Sequence, residues 1–391
     1  MLLQQQSIGE FIEKLSDSRV TVVVSLSWQS VVSLAVKYNV EPTVMRHKLV
    51  SVLKNKGVHA VFDLEVATAI SLTENKVEFL TRLSERQNLP MLASSCPGWI
   101  CYAEKSQDHL LSNISRVKSP QAIMGTLIKR FWSSIAGKAA HEIYHAAVMP
   151  CYDKKLEAVR EDFVDDSVPE TDCVLATTEL QEWLDQISID VHSIPENPLD
   201  QLVSRSSCNL KSSGVPIVQP DTQQCLAPLG SDGYLDYLFR SMASENGLEI
   251  QPGEIKMKPG RNVDIRECSL NYKGQRIKFA LIYGFRNIQG LVRKIKMRKC
   301  EYDYVEVMAC PSGCLNGGGQ ANNLHPEGKS SNLEVLHKSY LMLLQGSSMD
   351  MTSNCAEIYH RWIKDDPGSP AARMFFSTSY HERKTVAPSD W

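Results

Sequence analysis

Four cysteines, each close to a proline or a glycine, are the residues of this chain best suited to metal chemistry. They are Cys96, Cys151, Cys310 and Cys314. They fall in three separated segments, here named the first, second and third loops: residues 94–99, 149–154 and 308–320. A cubane iron–sulfur cluster takes four thiolates, which can come from distant segments. The pattern therefore predicts one cluster held by these four side chains.

The neighbours of the cysteines favour this interpretation. Pro97 and Pro311 directly follow two of the cysteines and stiffen the backbone there. Gly98, Gly313 and the run 317–319 let main chain approach an inorganic core closely, because glycine has no side chain. Structural zinc sites more often use compact Cys-x-x-Cys pairs, which are absent from these loops. Four unrelated thiols are the remaining alternative, since free cysteine is commonly buried.

Composition limits the protein's compartment and its partners. The 391 residues are 43% hydrophobic and 22% charged, with a net charge of −3, which gives no reason to expect direct nucleic-acid binding. No apolar run approaches the roughly 20 residues of a membrane span, and the start lacks the blocks of a signal peptide. We therefore expect a cytoplasmic protein, with the nucleus as a second compartment. Its 11 cysteines are then thiols or metal ligands rather than disulfides.

Predicted strands and helices alternate along most of the chain. Three of the strands, 90–93, 143–148 and 304–308, each lead directly into one of the loops. Repeated strand–helix–strand units imply an α/β fold, with parallel sheets covered by helices on both faces. Ligands in such folds bind beyond the carboxyl ends of the strands, which is where the cysteines lie.

The pattern divides the chain into five regions. We predict a first α/β lobe, a flexible insertion rich in Pro, Ser, Gly and Asp, a second α/β lobe, a small helical region and a tail. In order, these are residues 1–189, 190–232, 233–325, 326–380 and 381–391. The second lobe should contain a hairpin with strands 263–272 and 275–283, turning at Lys273-Gly274.

The three loops resemble the motifs of iron-only hydrogenases, and the similarity runs over nearly the whole chain. The matching residues are Cys96–Trp99 in the first loop, Cys151, Lys154 and Glu157 around the second, and Glu306, Met308, Cys310, Gly313, Cys314 and 317–320 around the third. The resemblance implies the hydrogenase-like large-subunit fold, with two parallel-sheet lobes and a small C-terminal helical segment. It also implies one [4Fe–4S] cluster between the lobes, held by the four cysteines.

One position departs from the hydrogenase pattern. In active hydrogenases the residue before the first cluster ligand is a second cysteine, which relays protons to a diiron site, whereas here it is Ser95. A hydroxyl is a far weaker acid than a thiol, whose pKa is about 8.5. We therefore expect no diiron unit and no enzyme activity. Lys154 and Glu157 are expected to close the cavity that the diiron unit would fill by forming an ion pair.

This departure indicates the eukaryotic non-hydrogenase branch, the Nar1-like proteins of cytosolic iron–sulfur assembly. Segments 96–105, 150–158 and 283–289 are typical of that branch. The resemblance implies a non-catalytic [4Fe–4S] protein that links the early scaffold to the complex that targets clusters to cytosolic and nuclear apoproteins. Two alternatives stay open: a nuclear prelamin A-binding protein with a structural cluster, as in the sister branch, and a hydrogenase-like oxidoreductase.

The two ends of the chain carry the remaining expectations. Family members begin with a ferredoxin-like segment that holds a second cluster, and this sequence has no cysteine before Cys96, so we expect that cluster to be missing. The last residues, Ser389-Asp390-Trp391, resemble acidic–aromatic tails that dock onto the targeting complex, although an aliphatic residue is usual where Ser389 stands. We expect Asp390 and Trp391 to bind that complex, which comprises a WD40-repeat protein, a HEAT-repeat protein and a small adaptor.

Overall fold

The computed structural model describes most of the chain. The described residues are 7–202, 230–250, 255–322, 329–346 and 355–383. Within these ranges the strands, in chain order, are β1 (Thr21–Leu26), β2 (Ala60–Asp63), β3 (Met91–Ala93), β4 (Ile143–Met149), β5 (Val164–Asp165), β6 (Val168–Pro169), β7 (Cys173–Ala176), β8 (Lys258–Pro259), β9 (Ile265–Tyr272), β10 (Gln275–Tyr283) and β11 (Tyr304–Met308).

The first sheet is parallel throughout. Its strand order is β2-β1-β4-β7, and each pair of neighbours runs in the same direction. The β-branched run of β1 is buried almost completely, as expected for a parallel strand with helices on both faces. The predicted α/β class is therefore confirmed for this lobe.

The second sheet is mixed. Its order is β3-β11-β10-β9-β8; β3, β11 and β10 are parallel, while β9 and β8 are antiparallel to their neighbours. The predicted hairpin is present, because Lys273 and Gly274, with φ of 48° and 79°, form a turn that reverses the chain within two residues. The expectation of two parallel sheets is therefore corrected at this edge, since so short a turn can join only antiparallel strands.

Strand β3 crosses the predicted lobe boundary. It lies within residues 1–189, yet it pairs with β11 of the second sheet, with Leu92 opposite Val305. A division at residue 189 therefore does not separate the two sheets. The sequence could not reveal this, because parallel neighbours are joined by long crossovers and sequence distance does not select the partner.

Helices cover both faces of the first sheet, because alternate residues of β1 lie in two different hydrophobic cores. In chain order the helices are α1 (Ile8–Ser16), α2 (Trp28–Lys37), α3 (Pro42–Asn55), α4 (Glu65–Glu85), α5 (Pro97–Ser106), α6 (Pro120–Thr126), α7 (Ser133–Ala136), α8 (Asp153–Ala158), α9 (Thr177–Gln186), α10 (Tyr234–Glu245), α11 (Phe285–Lys296), α12 (Lys329–Gly346) and α13 (Pro370–Phe376). Two π-helical segments, Leu127–Trp132 and Ile358–Ile363, add to these. None of the described helices is long and apolar enough to cross a bilayer.

The described part of the predicted C-terminal region is helical and packs on the first lobe. Helix α12 lies against α2 and α3, and its Leu336, Tyr340 and Leu343 are buried in the core that those helices share. Helix α13 packs against α6 and buries Phe376. The described helices of the C-terminal region therefore pack directly on the helices of the first lobe.

Both described ends of the predicted insertion are packed against the lobes. The Asp200 carboxylate accepts hydrogen bonds from the Val61 amide at 2.8 Å and from Lys54 at 2.7 Å. At the other end, Ser231 is fully buried. The expectation of a flexible surface segment over 190–232 is corrected at these two ends, because Asp200 makes partly buried hydrogen bonds to the first lobe and Ser231 is buried. Residues 203–229 lie outside the described ranges.

Candidate functional site

Each cysteine loop follows the carboxyl end of a strand, as predicted. Cys96 follows β3 and is the N-cap residue of α5, Cys151 follows β4, and Cys310 follows β11. Cys314 opens a short 3₁₀ turn after Gly313, whose φ is 81°. Strand β4 belongs to the first sheet, whereas β3 and β11 belong to the second. The loops therefore meet between the two sheets.

Hydrogen bonds join the first loop to the end of β11. The Ser94 hydroxyl donates to the Val307 carbonyl oxygen at 2.6 Å and accepts from the Cys96 amide at 3.1 Å. The Ala309 amide donates to Cys96 Sγ at 3.4 Å. Amide donors of this kind stabilise a thiolate and tune the potential of a cluster that it binds.

Glycines allow the second loop to contact the other two. A Cβ at Gly98 would lie 2.6 Å from Asp153 Oδ2, and a Cβ at Gly317 would overlap the Pro150 carbonyl oxygen. The Gly319 amide donates to that same oxygen at 2.9 Å. These contacts place the glycine run of the third loop directly on Pro150 and Cys151, as the sequence predicts from glycine's lack of a side chain.

The four thiols lie close enough for their charges to interact; Cys96 is buried and the other three are half-buried. Burial raises the pKa of Cys310 to about 12, with contributions from Cys96 and Asp153. Burial also raises the pKa of Cys314, and the negative charges of Asp232 and of the other three cysteines raise it further. All four thiols are free of disulfide bonds. Each thiolate thus disfavours the others, so all four can be charged together only beside a strongly cationic group.

This donor set suits an iron–sulfur cluster. It consists of four thiols at strand ends, in glycine-rich loops whose amides point at sulfur. Among the described residues, no three histidine, cysteine or carboxylate side chains converge closely enough to share a single metal ion. A cubane cluster makes a different demand, because each thiolate binds a separate iron.

Lys154 and Glu157 form the buried ion pair that the sequence predicts. Lys154 Nζ lies 2.8 Å from Glu157 Oε2, and both side chains are less than 10% exposed. The Ser119 hydroxyl donates to Glu157 and accepts from Lys154 Nζ at 3.1 Å. Burial disfavours the charge on Lys154, yet Glu157, Asp232 and Cys151 together raise its pKa.

Asp232 belongs to the site, although no sequence pattern predicts a role for it. Its carboxylate accepts a hydrogen bond from the Ser95 hydroxyl and a longer one, at 3.4 Å, from the Gln29 amide. The one sequence signal is an acidic residue before Gly233 at the start of α10, and such residues are common in loops. The sequence pattern predicts a surface insertion over 190–232, so it does not predict that this carboxylate lies at the site.

A small cavity lies beside Ser95. Ser95, Cys101, Glu157 and Tyr380 are among the residues that line it, and its volume of about 30 Å³ has room for about two water molecules. Residues 378–383 cover it: the His381 amide donates to Glu104 Oε1 at 3.1 Å and the Arg383 amide to the Glu104 carbonyl oxygen at 2.9 Å. Asp390 and Trp391 lie outside the described residues, so their role in docking stays a prediction.

Comparison with known proteins places this geometry in a family. Residues 20–318 match the family described as iron only hydrogenase large subunit, C-terminal domain. Protein NAR1 of Arabidopsis thaliana is 38% identical, over 97% of this chain and 82% of its own length. Cytosolic iron-sulfur assembly component 3 of Mus musculus is 41% identical, over 97% and 80%. Cytosolic Fe-S cluster assembly factor narfl of Danio rerio is 41% identical, over 99% and 94%.

The fold is also that of solved hydrogenase structures. The apo [FeFe]-hydrogenase HydA1 from Chlamydomonas reinhardtii superposes with a TM-score of 0.80 at 21% identity, covering 97% of this chain and 100% of that one. At this identity the similarity establishes the hydrogenase-like fold alone. Together with the family match and the relatives above, it shows that this chain belongs to the iron-only hydrogenase-like family, in the group that contains the NAR1 and cytosolic iron–sulfur assembly component 3 proteins.

Proposed function

We propose that this chain is a non-catalytic iron–sulfur protein of cytosolic iron–sulfur cluster assembly. It holds one [4Fe–4S] cluster through Cys96, Cys151, Cys310 and Cys314. The observation that carries the proposal is that four free thiols, from loops on two sheets, lie close enough for their charges to interact. The relatives named as cytosolic assembly factors support the pathway.

The chain's own residues have separable tasks in this proposal. The cluster, when bound, supplies sites for accepting and releasing one electron. The four thiolates hold it, and the Ala309 amide at Cys96 Sγ offsets part of their charge. The Lys154–Glu157 pair and residues 378–383 keep the surrounding space small and limit water beside Ser95. Such an arrangement protects a cluster from solvent until a partner binds.

One observation supports a role without hydrogen chemistry. Ser95 replaces the thiol expected of a proton relay, and its hydroxyl donates to Asp232. A hydrogenase-like oxidoreductase would need such a relay. The nuclear prelamin A-binding alternative has no specific support from the described residues, whereas the names of the relatives favour assembly.

The proposal extends to partners and compartment. The protein works in the cytoplasm, with the nucleus as a second location, and links the early scaffold to the targeting complex. Asp390 and Trp391 dock onto that complex, because an aromatic side chain beside an acidic residue and a free carboxylate can enter an apolar pocket rimmed by cations. Deletion of Trp391 should abolish pull-down of the WD40-repeat member, and unchanged pull-down would eliminate the docking role.

A depletion experiment tests the assembly role. Cells that lack the endogenous protein should lose the activity of a cytosolic [4Fe–4S] enzyme while a mitochondrial iron–sulfur enzyme keeps its activity. The chain, expressed with any N-terminal segment of the natural gene, should restore the activity, and its Cys151→Ser variant should not. Rescue by Cys151→Ser would contradict the proposal. Infrared bands of iron-bound CO or cyanide in the purified protein would favour the oxidoreductase instead.

A further inference from the structure

A carboxylate outside the family's cysteine motifs lies next to the turn that carries Cys314. Asp232 is in the segment 230–235, which leads into α10. The Leu315 amide donates to the Gly230 carbonyl oxygen at 3.2 Å. A Cβ at Gly230 would lie 2.6 Å from the Leu315 side chain. The segment that carries Asp232 is therefore fixed against the residue that follows Cys314.

Buried hydrogen bonds anchor this segment to β11. Glu306, fully buried, accepts from the Ser231 hydroxyl at 2.7 Å and from the Leu235 amide at 2.8 Å. The Tyr340 hydroxyl donates to the Ser231 carbonyl oxygen at 3.1 Å. Because Ser231, directly before Asp232, and Leu235, in the first turn of α10, are held in this way, the Asp232 carboxylate has little freedom to turn away from the site.

The carboxylate faces the cysteines from the side of the first loop. Ser95, which directly precedes Cys96, donates its hydroxyl hydrogen to Asp232, and Gln29 donates from the opposite side. Lys154 is the cation whose charge interacts with Asp232, but it is already paired with Glu157 at 2.8 Å. The negative charge of Asp232 is therefore only partly compensated, and it acts on Cys314.

We infer that Asp232 lowers the reduction potential of the cluster held by the four cysteines, and that Ser95 is a positioning residue that orients the Asp232 carboxylate. This inference rests on the proposed cluster. Reduction adds one electron, taken from an external reductant, to a group that four thiolates already surround. A negative charge this close opposes that electron, because Asp232 is half-buried and the protein around it screens the charge less than bulk water would. With Asp232 in place, the cluster therefore stays oxidised under conditions that would reduce the same cluster without this neighbouring charge.

Potentiometric titration of the purified, cluster-loaded chain tests this inference. Asp232→Asn, which removes the charge and keeps the shape, should shift the midpoint potential to a more positive value. Asp232→Ser is a second neutral variant and should shift it in the same direction, whereas Asp232→Glu should stay closer to the wild type. The exposed Asp365→Asn is the matched control and should leave the potential unchanged.

The variants separate charge from position. Ser95→Ala keeps the carboxylate and should shift the potential less than Asp232→Asn does. An equal positive shift in Ser95→Ala, or an unchanged or lower potential in both neutral Asp232 variants, would overturn the inference. Iron and sulfide are measured in every sample. A wild-type chain without iron and sulfide would refute the proposed cluster, whereas a loaded wild type with insensitive variants would refute only the role of Asp232.

Discussion

At the scale of single residues, Ser95 determines what the site can do with a proton. Its hydroxyl donates to Asp232 and is thus already engaged in the buried site. In this position a serine orients a carboxylate and does not transfer protons at neutral pH, because alcohols are far weaker acids than thiols. The proposal that this chain carries out no hydrogen chemistry therefore rests on the replacement of one sulfur by one oxygen.

Restoring a thiol at this position should not create hydrogen chemistry. We predict that Ser95→Cys evolves no hydrogen from reduced methyl viologen, because the substitution restores only the thiol of the relay and does not supply the second metal unit that hydrogen chemistry also needs. Gas chromatography of the headspace provides the measurement, and iron content confirms that the variant remains loaded. Hydrogen production above the wild-type background would contradict this account of the site.

The Lys154–Glu157 pair should contribute to stability only as a pair. In Lys154→Met the Glu157 carboxylate stays buried without its cation, so the free energy of unfolding of the apo protein should fall by about 3–5 kcal/mol. The double variant Lys154→Met with Glu157→Gln leaves no charge unpaired and should lose markedly less. Urea denaturation of the wild type, the two single variants and the double variant measures the coupling free energy between Lys154 and Glu157. If the double variant loses as much free energy of unfolding as the two single variants together, the two residues do not act as a pair.

At the scale of elements, the loops depend on close backbone contacts between them. Gly317 and Gly318 are neighbours in the third loop, yet only Gly317 has no room for a side chain, because a Cβ there would overlap the Pro150 carbonyl oxygen. Gly318 has nothing within 4 Å of an added Cβ. The two residues are therefore a matched pair for testing whether loop contact matters.

Substitution by alanine should affect these two glycines differently. We predict that Gly317→Ala destabilises the chain by about 1–3 kcal/mol and lowers its iron content, because the second loop must move away with Cys151. Gly318→Ala should resemble the wild type in both respects. Iron analysis and chemical denaturation of the two variants make the comparison, and equal effects at both positions would argue against the contact.

A buried histidine in β4 makes stability depend on pH. His145 is fully buried, and burial lowers its pKa to about 3, although its ring Nδ1 lies 3.1 Å from the Glu170 carbonyl oxygen. The unfolded chain binds a proton at this residue near pH 6.5, whereas the folded chain does not until about pH 3. The contribution of neutral, buried His145 to the free energy of unfolding is therefore fully present above about pH 6.5. It is lost progressively as the pH falls from there towards 3.

The pH dependence can be measured against a variant. Between pH 7 and pH 5 the wild type should lose about 2 kcal/mol more of its free energy of unfolding than His145→Gln does. Other titrating groups act equally on both proteins, so the difference isolates His145. If the free energy of unfolding fell equally in both proteins between pH 7 and pH 5, His145 would not be buried in its neutral form.

The same strand shows why a second sequence pattern carries no protease chemistry. Residues 141–145 read His-Glu-Ile-Tyr-His, which on a helix would place two histidines on one face. The structure has a 3₁₀ turn at Ala140–Glu142 followed by β4, and His145 Nε2 lies 2.9 Å from the Ser25 hydroxyl. His141 lies in the turn and His145 in the strand, so the two rings do not share the helical face that a zinc site of this type needs.

At the scale of the whole molecule, the sequence predicts the local elements better than the topology. The strands that precede the three cysteine loops follow from residue types and spacing, and the Lys154–Glu157 pair follows from the resemblance to the hydrogenase motifs. The pairing of β3 with β11 does not, because parallel partners are selected by tertiary packing. Asp232 was missed for a related reason, since its role depends on residues far apart in sequence, Ser95 and Cys314.

The arrangement of the two sheets has a consequence for the cluster. Cys151 follows a strand of the first sheet, and the other three cysteines follow strands of the second. A cluster held by all four therefore cross-links the two sheets, and folding and loading are thermodynamically coupled. Loss of a single ligand is then expected to weaken the whole site.

The measurement that tests the central claim most directly is iron and acid-labile sulfide per chain after anaerobic purification. The account predicts about four of each for the wild type, and the same for Cys300→Ser, because Cys300 lies before β11 at the end away from the loops. Cys314→Ser should retain much less of both. Zinc in place of iron, or full iron and sulfide in Cys314→Ser, would contradict the claim that these four cysteines hold an iron–sulfur cluster.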